Sequence, residues 1–382
     1  MENEPRPVPP MLLVKPASGD CNLACSYCFY HGRPGDPYRE LSNRRMSDAV
    51  LDAMVSQMLR ENEPGAAFCW QGGEPALMGL DFYRRAVDLM ARRGRRGQTV
   101  SNAFQTNGVL LDREWARFFR EWRFFVGLSI DGPREVHDFF RRTPGGGGTH
   151  AKVMGAARLL RREGVEFNAL VVVTREFAGR AAEIHRFLAG EGIYHQQYIP
   201  AYDYAPDGSG ALAGYSVDAD AYGDFLCALF DAWYAGGRPI GSIRTFDNLA
   251  LLLTGRRAET CLFQPRCGSY LVVEHDGGVY PCDFYVEGPR RLGSVLNGDR
   301  GLYEAANSAR EREFLALKPD QARACSSCEL AGLCHGGCPR FRKGHPTGRG
   351  AHDLCEAFRR LVRHAGDRLK AFARAAQADR PG

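Results

Sequence analysis

The sequence predicts an α/β protein: a parallel sheet with helices outside it over residues 11–205, then a loop-rich region that bound metal would stabilise. Three observations predict it. Strand-like and helix-like segments alternate through six units. Polar or glycine-rich motifs stand directly after successive strands. Eleven of the thirteen cysteines fall into three groups, one near the N-terminus and two beyond residue 260.

Taken in order, apolar, β-rich runs occur at 11–14, 66–70, 100–104, 124–130, 167–173 and 197–200. Amphipathic stretches separate them at 46–60, 80–92, 112–121, 149–163 and 180–189, with Ser47 placed to cap the first. Six βα units in series imply a parallel sheet. In such folds chemistry collects in the loops at the C-terminal ends of the strands. Cys21, Cys25 and Cys28 occupy that position after the first strand, and Gly72-Gly73-Glu74-Pro75 after the second. Gln105-Thr106-Asn107-Gly108 follows the third, and Ser129-Ile130-Asp131-Gly132-Pro133 ends the fourth, so one shared pocket is expected. Residues 206–210 read as a loop, 219–234 and 245–253 as helices, 270–280 as a hairpin turning on Asp276-Gly277-Gly278, and 355–377 as a closing helix. The expected divisions are an N-terminal extension (1–10), the βα domain (11–205), a helical connector (206–260), a cysteine-rich domain (261–365) and a tail (366–382).

With 382 residues, 44% hydrophobic and 25% charged, the chain can bury a large core. The net charge of +5 is mild, and no basic face interleaved with aromatics argues for nucleic acid. No run approaches the length of a membrane helix, and the first residues lack the basic start and apolar stretch of an export signal. A cytoplasmic protein is expected, with its thiols reduced and available to metal.

The cysteine spacing carries most of the functional information. Cys21, Cys25 and Cys28 form C-x3-C-x2-C, three thiolates for what is normally a four-iron cluster, so one iron would stay open to a small molecule. Cys261, Cys267, Cys282, Cys325, Cys328, Cys334, Cys338 and Cys355 number the eight that two fully ligated clusters need. Zinc is a competing reading of those eight, because all-thiolate zinc sites use similarly short spacings. His335 and the two remaining cysteines, Cys69 and Cys227, read as structural, the latter two as buried free thiols.

On these motifs the chain resembles the radical S-adenosylmethionine enzymes with a SPASM domain. The C-x3-C-x2-C group, with Tyr27 before its last cysteine, resembles the radical signature. Cys267-x9-Gly277-x4-Cys282, then Cys325-x2-Cys328-x5-Cys334-x3-Cys338 and Cys355, resembles the SPASM pattern. Tyr280-Pro281-Cys282-Asp283-Phe284-Tyr285, Cys28-Phe29-Tyr30, Gln71-Gly72-Gly73-Glu74-Pro75, His137-Asp138 with Arg141, and Phe246-Asp247-Asn248 resemble the anaerobic sulfatase-maturating enzymes in particular. A basic residue often interrupts the glycine run of that family, and none interrupts Gly145–Gly148 here.

The resemblance implies a partial (β/α)6 TIM-like barrel followed by a SPASM domain, three [4Fe-4S] clusters and S-adenosylmethionine. Cys21, Cys25 and Cys28 would hold the open cluster; Cys261, Cys267, Cys282 and Cys338 one auxiliary cluster; Cys325, Cys328, Cys334 and Cys355 the other. Gly72 and Gly73 would hold the methionine amino group with Glu74 assisting, while Ser129, Asp131 and Arg141 would serve the ribose hydroxyls and the carboxylate. Tyr30 and Gln71 would face substrate or cofactor, and Asp283 would be the general base. Read without the resemblance, Gly72–Pro75 is a plain turn, and the competing readings are strand-end caps for Ser129 and Asp131 and a turn cap for Asp283.

The implied reaction oxidises an active-site Cys or Ser of a sulfatase to Cα-formylglycine, with a ferredoxin or flavodoxin as electron donor. Asp283 would take the thiol or hydroxyl proton, the adenosyl radical a Cβ hydrogen atom, and an auxiliary cluster the remaining electron. The competing readings are a related maturase that crosslinks or epimerises a ribosomally made peptide, and a zinc-stabilised binding protein.

Overall fold

The structure, a computed structural model, describes residues 5–30, 35–42, 44–205, 211–320, 323–342 and 352–378. The predicted loop at 206–210 lies outside them. The six predicted strands are present as β1 (Met11–Lys15), β2 (Gly65–Trp70), β3 (Thr99–Thr106), β4 (Phe125–Ser129), β5 (Phe167–Val173) and β6 (His195–Pro200). The helices among them are α1 (Asp48–Glu61), α2 (Leu80–Arg93), α3 (Arg113–Glu121), α4 (Arg134–Phe140), α5 (His150–Glu163) and α6 (Ala181–Gly190). Beyond these come α7 (Ala219–Trp233), β7 (Ser242–Ile243), α8 (Arg244–Leu253), β8 (Leu271–Glu274), β9 (Gly278–Tyr280) and β10 (Gly293–Ser294). Five further helices complete the described part: α9 (Gly301–Ala306), α10 (Ala309–Ala316), α11 (Arg323–Ser326), α12 (Ala331–Cys334) and α13 (Cys355–Ala378).

The chain divides into two compact units, each drawn from several segments. The first holds Met1–Ser129, Asp138–Phe167 and Gly268–Phe314. Its strands run in the order β10-β9-β8-β1-β2-β3-β4. β1 to β4 are parallel, and β8 joins the other edge of β1 in parallel register, with Leu12 opposite Leu271 and Lys15 opposite Glu274. The predicted hairpin is β8–β9, antiparallel, and β10 continues it. The second unit holds Ile130–His137, Asn168–Cys267 and Leu315–Gly382. In it β5, β6 and β7 are parallel neighbours, and α13 packs along α7.

Local chemistry explains why these segments fold as they do. The Ser47 hydroxyl accepts the Val50 N–H at 3.3 Å and starts α1, as expected from sequence. Asp112 caps α3 by accepting from the N–H groups of Glu114 and Trp115, and left-handed Gly164 ends α5. Alternate residues Ala66, Phe68 and Trp70 of β2 are buried in the core, where Trp70 meets Phe82 and Tyr83 edge-on and Phe104, Trp115 and Phe119 extend the aromatic layer. Each such ring, fully buried, contributes about 1.5–3 kcal/mol. That rigid layer underlies the strand ends on which the cysteines and their partners are mounted.

Candidate active site

Cys21, Cys25 and Cys28 lie in the loop after β1, with Cys25 buried and the other two half-buried. Backbone bonds fix this loop independently of its thiols. Ala24 N–H donates to Arg142 O at 2.8 Å, and Ser26 N–H to Phe140 O at 3.4 Å. Burial, and after it Glu74, Cys25 and Cys28, push the Cys21 thiol up to about 12, against the Leu23 N–H that favours its thiolate. The Cys21 thiol, pushed up in this way, resists ionisation by itself, and a bound cation reverses that preference by deprotonating its thiol ligands outright. The donor set therefore fits an iron site.

The glycines after β2 pack backbone on backbone. Gly72 has φ +125°, and a Cβ there would stand 2.5 Å from Ser18 O; a Cβ on Gly73 would stand 2.0 Å from Asp20 O. The close approach they allow is to the chain just before Cys21, where Gly73 N–H donates to Ser18 O at 2.7 Å and Glu74 N–H to Asp20 O at 2.8 Å. Glu74 is 0% exposed. Its carboxylate accepts from Ala76 N–H (3.0 Å), the Thr106 hydroxyl (2.8 Å) and Asn107 N–H (2.8 Å), which ties the loop after β2 to the loop after β3. Burial pushes this carboxyl up to about 7 against the pull of those donors. Asn107, part of the motif expected after the third strand, donates from Nδ2 to Asn22 Oδ1 at 2.8 Å and lies 3.7 Å from Cys21 Sγ. Replacing Glu74 by Ala strands three buried donors at about 1–3 kcal/mol each. The expected result is a large fall in the urea midpoint, with Glu74→Gln falling less because it keeps one acceptor oxygen.

Asp283, 7% exposed, follows Cys282 directly and sits at the centre of a compact charged network. Its Oδ2 accepts the Tyr30 hydroxyl at 2.7 Å and the Gln71 amide at 3.1 Å, while Lys15 Nζ lies 3.4 Å from Oδ1. Lys15 is 2% exposed, pairs with Glu274 at 2.8 Å and lies 4.4 Å from the centre of the Tyr30 ring. Burial would raise the Glu274 carboxyl, but Lys15 beside it, with hydrogen bonds from His275, Lys15 and Ser18, holds it at about 2. Burial, and next the Asp283 charge, push the Tyr30 phenol well above its ordinary value, so it remains an O–H donor. Tyr30, Gln71 and Asp283, distant in sequence, are thus brought together. Lys15 and Glu274 complete the group and were missed. The available signal was a lysine closing the otherwise apolar strand Met11-Leu12-Leu13-Val14, directly ahead of the cysteine loop.

The remaining cofactor candidates divide between the units. In the first, Ser129 ends β4 and is buried; Arg141 is buried beside the cysteine loop, with its guanidinium 5.4 Å from the Tyr27 ring centre. The uninterrupted glycine run closes on itself, with Thr143 N–H donating to Gly147 O and Gly147 N–H to the Thr143 hydroxyl. In the second unit, buried Asp131 accepts Val172 N–H at 2.9 Å and donates its own N–H to His137 Nδ1 at 3.3 Å.

The auxiliary cysteines sort by place. Cys325, Cys328, Cys334 and Cys355 line a single cavity of about 260 Å³, the set that the resemblance grouped together. Arg359, one helical turn after Cys355 on α13, donates to Cys328 Sγ at 3.6 Å. Cys261, Cys267 and Cys338 form a second group, in which the charge of Cys338 and of Cys261 adds to burial in raising the Cys267 thiol to about 12. Asn248 shapes the approach to Cys261, its Oδ1 accepting Glu259 N–H at 2.7 Å and Thr260 N–H at 2.9 Å. Cys282 lies in the first unit, where its sulfur is 3.3 Å from the Tyr270 hydroxyl. All thirteen cysteines are described and none is in a disulfide. Cys69 and Cys227 are half-buried, not buried as expected, because each sits on the side of its strand or helix turned from the core. His335 ends α12 in the left-handed conformation, a structural place.

Known proteins resemble this chain over most of its length. Residues 16–188 match the radical SAM superfamily, and residues 261–329 match an iron–sulfur cluster-binding domain. The chain is therefore a radical SAM enzyme with an iron–sulfur C-terminal region. It is 37% identical to the cysteine-type anaerobic sulfatase-maturating enzyme of Clostridium perfringens, over 95% of this chain and 98% of that one. It is 33% identical to the serine-type enzyme of Bacteroides thetaiotaomicron, over 93% and 89%. A solved structure of native anSMEcpe with bound AdoMet and a peptide superposes with a TM-score of 0.88 at 35% identity, covering 96% of this chain and all of that one. The chain belongs to the anaerobic sulfatase-maturating enzyme family.

Proposed function

We propose that this enzyme oxidises an active-site Cys or Ser of a sulfatase to Cα-formylglycine, with Asp283 as the general base. The observation that carries the reading is the placement of Asp283: buried, next to Cys282, and gripped by Tyr30, Gln71 and Lys15 in a chain of this family. Taking a Ser side chain to the aldehyde removes one Cβ hydrogen atom, the hydroxyl proton and one further electron; a Cys loses the same three from Cβ and thiol to give the thioaldehyde, which water hydrolyses to the aldehyde with release of sulfide. Cys21, Cys25 and Cys28 would hold the open [4Fe-4S] cluster, and the other eight grouped cysteines two auxiliary clusters. When bound, the open cluster and S-adenosylmethionine supply the acceptor for the Cβ hydrogen atom. Asp283 takes the proton. Tyr30 and Gln71, both donating to Oδ2, fix the direction in which the carboxylate faces, and Lys15 stands 3.4 Å from its other oxygen. Gly72, Gly73 and Glu74 shape the wall of the cofactor site, and Ser129, Asp131 and Arg141 would serve the ribose and carboxylate.

The relatives include both cysteine-type and serine-type enzymes at similar identity, which supports the reaction and leaves either residue as its target. A ferredoxin or flavodoxin would supply electrons, and the enzyme would work in the cytoplasm; among the described residues no helix is long and apolar enough to cross a membrane. The reading is tested by incubating reconstituted enzyme, S-adenosylmethionine and a sulfatase-derived peptide under reductant. The expected result is a peptide that loses mass and gains an aldehyde. Unchanged peptide alongside continued cofactor cleavage would exclude this substrate and favour the peptide-crosslinking or epimerising alternative.

A further inference from the structure

We infer that Lys318 is the built-in counter-charge of the iron–sulfur site formed by Cys261, Cys267 and Cys338, and that it raises the reduction potential of the cluster held there. The inference rests on the reading that these cysteines bind a cluster, and it goes further by assigning a tuning role to a residue outside every cysteine motif.

Lys318 lies two residues beyond α10 and is 1% exposed. Its Nζ donates to Cys261 O at 2.5 Å and to Leu262 O at 2.9 Å, two carbonyls of the turn that presents Cys261. Carbonyl dipoles accept hydrogen bonds but do not neutralise a buried cation, and a cation buried without an anion is strongly unfavourable. Among the described residues no carboxylate pairs with it. Burial pushes the Lys318 ammonium down, and of the ionisable groups that bear on it the thiols Cys267, Cys261 and Cys338 favour its charge while a second cation, Arg342, opposes it. Arg342 is also buried and donates from Nη2 to Lys318 O at 2.9 Å. Two buried cations side by side, facing three thiols, make sense when those thiols are ionised around an anionic cluster. Burying positive charge next to a cluster favours its reduced form, which carries one more negative charge, and cluster potentials do follow net charge and hydrogen bonding. The other auxiliary set differs. Its nearest cation, Arg359, is about one-third exposed, and water screens it.

The test uses the full chain with Cys21, Cys25 and Cys28 all changed to Ala, so that only auxiliary clusters contribute iron and signal. In that background Lys318→Gln removes the charge but keeps a donor for the carbonyls, and Lys318→Arg keeps both. Iron per chain and the reduction potentials followed by EPR are the readouts. The expected result is that Lys318→Gln moves one auxiliary potential to more negative values, or loses about four irons, while Lys318→Arg stays close to the parent. Unchanged iron and potentials in Lys318→Gln would overturn the role, as would equal losses in both variants, which would mark a packing defect. A parent chain with far fewer than about eight irons would instead refute the cluster reading itself.

Discussion

Asp283→Asn is expected to slow peptide oxidation by about 10²–10⁴-fold, the usual contribution of a general base, while cleavage of S-adenosylmethionine continues. The substitution keeps the size of the side chain and one acceptor oxygen, so the Tyr30 and Gln71 donors, at 2.7 Å and 3.1 Å from Oδ2, keep a partner. It removes the only property a base needs, the capacity to take a proton. Lys15 does not become an orphaned cation, because Glu274 remains 2.8 Å away and fully buried. The fold should accordingly survive, and the loss should appear in turnover. Mass spectrometry of the peptide and chromatography of 5′-deoxyadenosine separate the two events. Full-rate oxidation by the variant would remove Asp283 from the role and leave it as a cap on the turn after Cys282. The network also predicts an order among its members: Tyr30→Phe and Gln71→Leu each remove one of the donors on Oδ2 but leave the carboxylate, so each should lose less than Asp283→Asn.

Much of this site could be read from sequence because its signals are local. Apolar runs with strand-forming residues located β1 to β6 within a few residues, and Ser47 and the Asp276-Gly277 turn act through neighbours within four positions. The cysteine spacing worked for the same reason, since ligands of one cluster recur at short intervals. What escaped depends on partners far apart in the chain. Nothing near Leu271 announces that β8 will lie parallel to β1, yet that pairing sets Glu274 opposite Lys15 and carries Asp283 to Tyr30 and Gln71. The sequence places Asn107 in the motif after the third strand, but its contact with Asn22 appears only when the loops after β1 and β3 meet. Short helices such as α4, α9 and α10 complete too few turns to show a period. Gly72 and Gly73 read in sequence as room for backbone to approach the cofactor, and their packing on the Ser18–Asp20 backbone needed the fold.

Cys25→Ala should abolish both product formation and cofactor cleavage, and should lower iron from about twelve to about eight per chain, leaving the protein coloured. Cys25 is the buried member of the trio, so no water-facing ligand can readily replace its sulfur, and two thiolates do not hold a four-iron cluster in place. The loop that carries it, however, does not depend on that sulfur. Its shape is held by Ala24 N–H to Arg142 O, by Asn107 to Asn22, and by Gly73 N–H to Ser18 O, none of which involves a thiol. Removing one sulfur atom should therefore cost little in folding stability, and the eight auxiliary cysteines should keep their iron. Iron analysis and visible absorption of anaerobically purified protein read the first effect, and a thermal melt reads the second. A variant that retained about twelve irons, or that still cleaved S-adenosylmethionine, would place the open cluster somewhere other than on Cys21, Cys25 and Cys28. A variant that lost all its iron and unfolded would show that the cluster, and not the backbone bonds, organises the loop after β1.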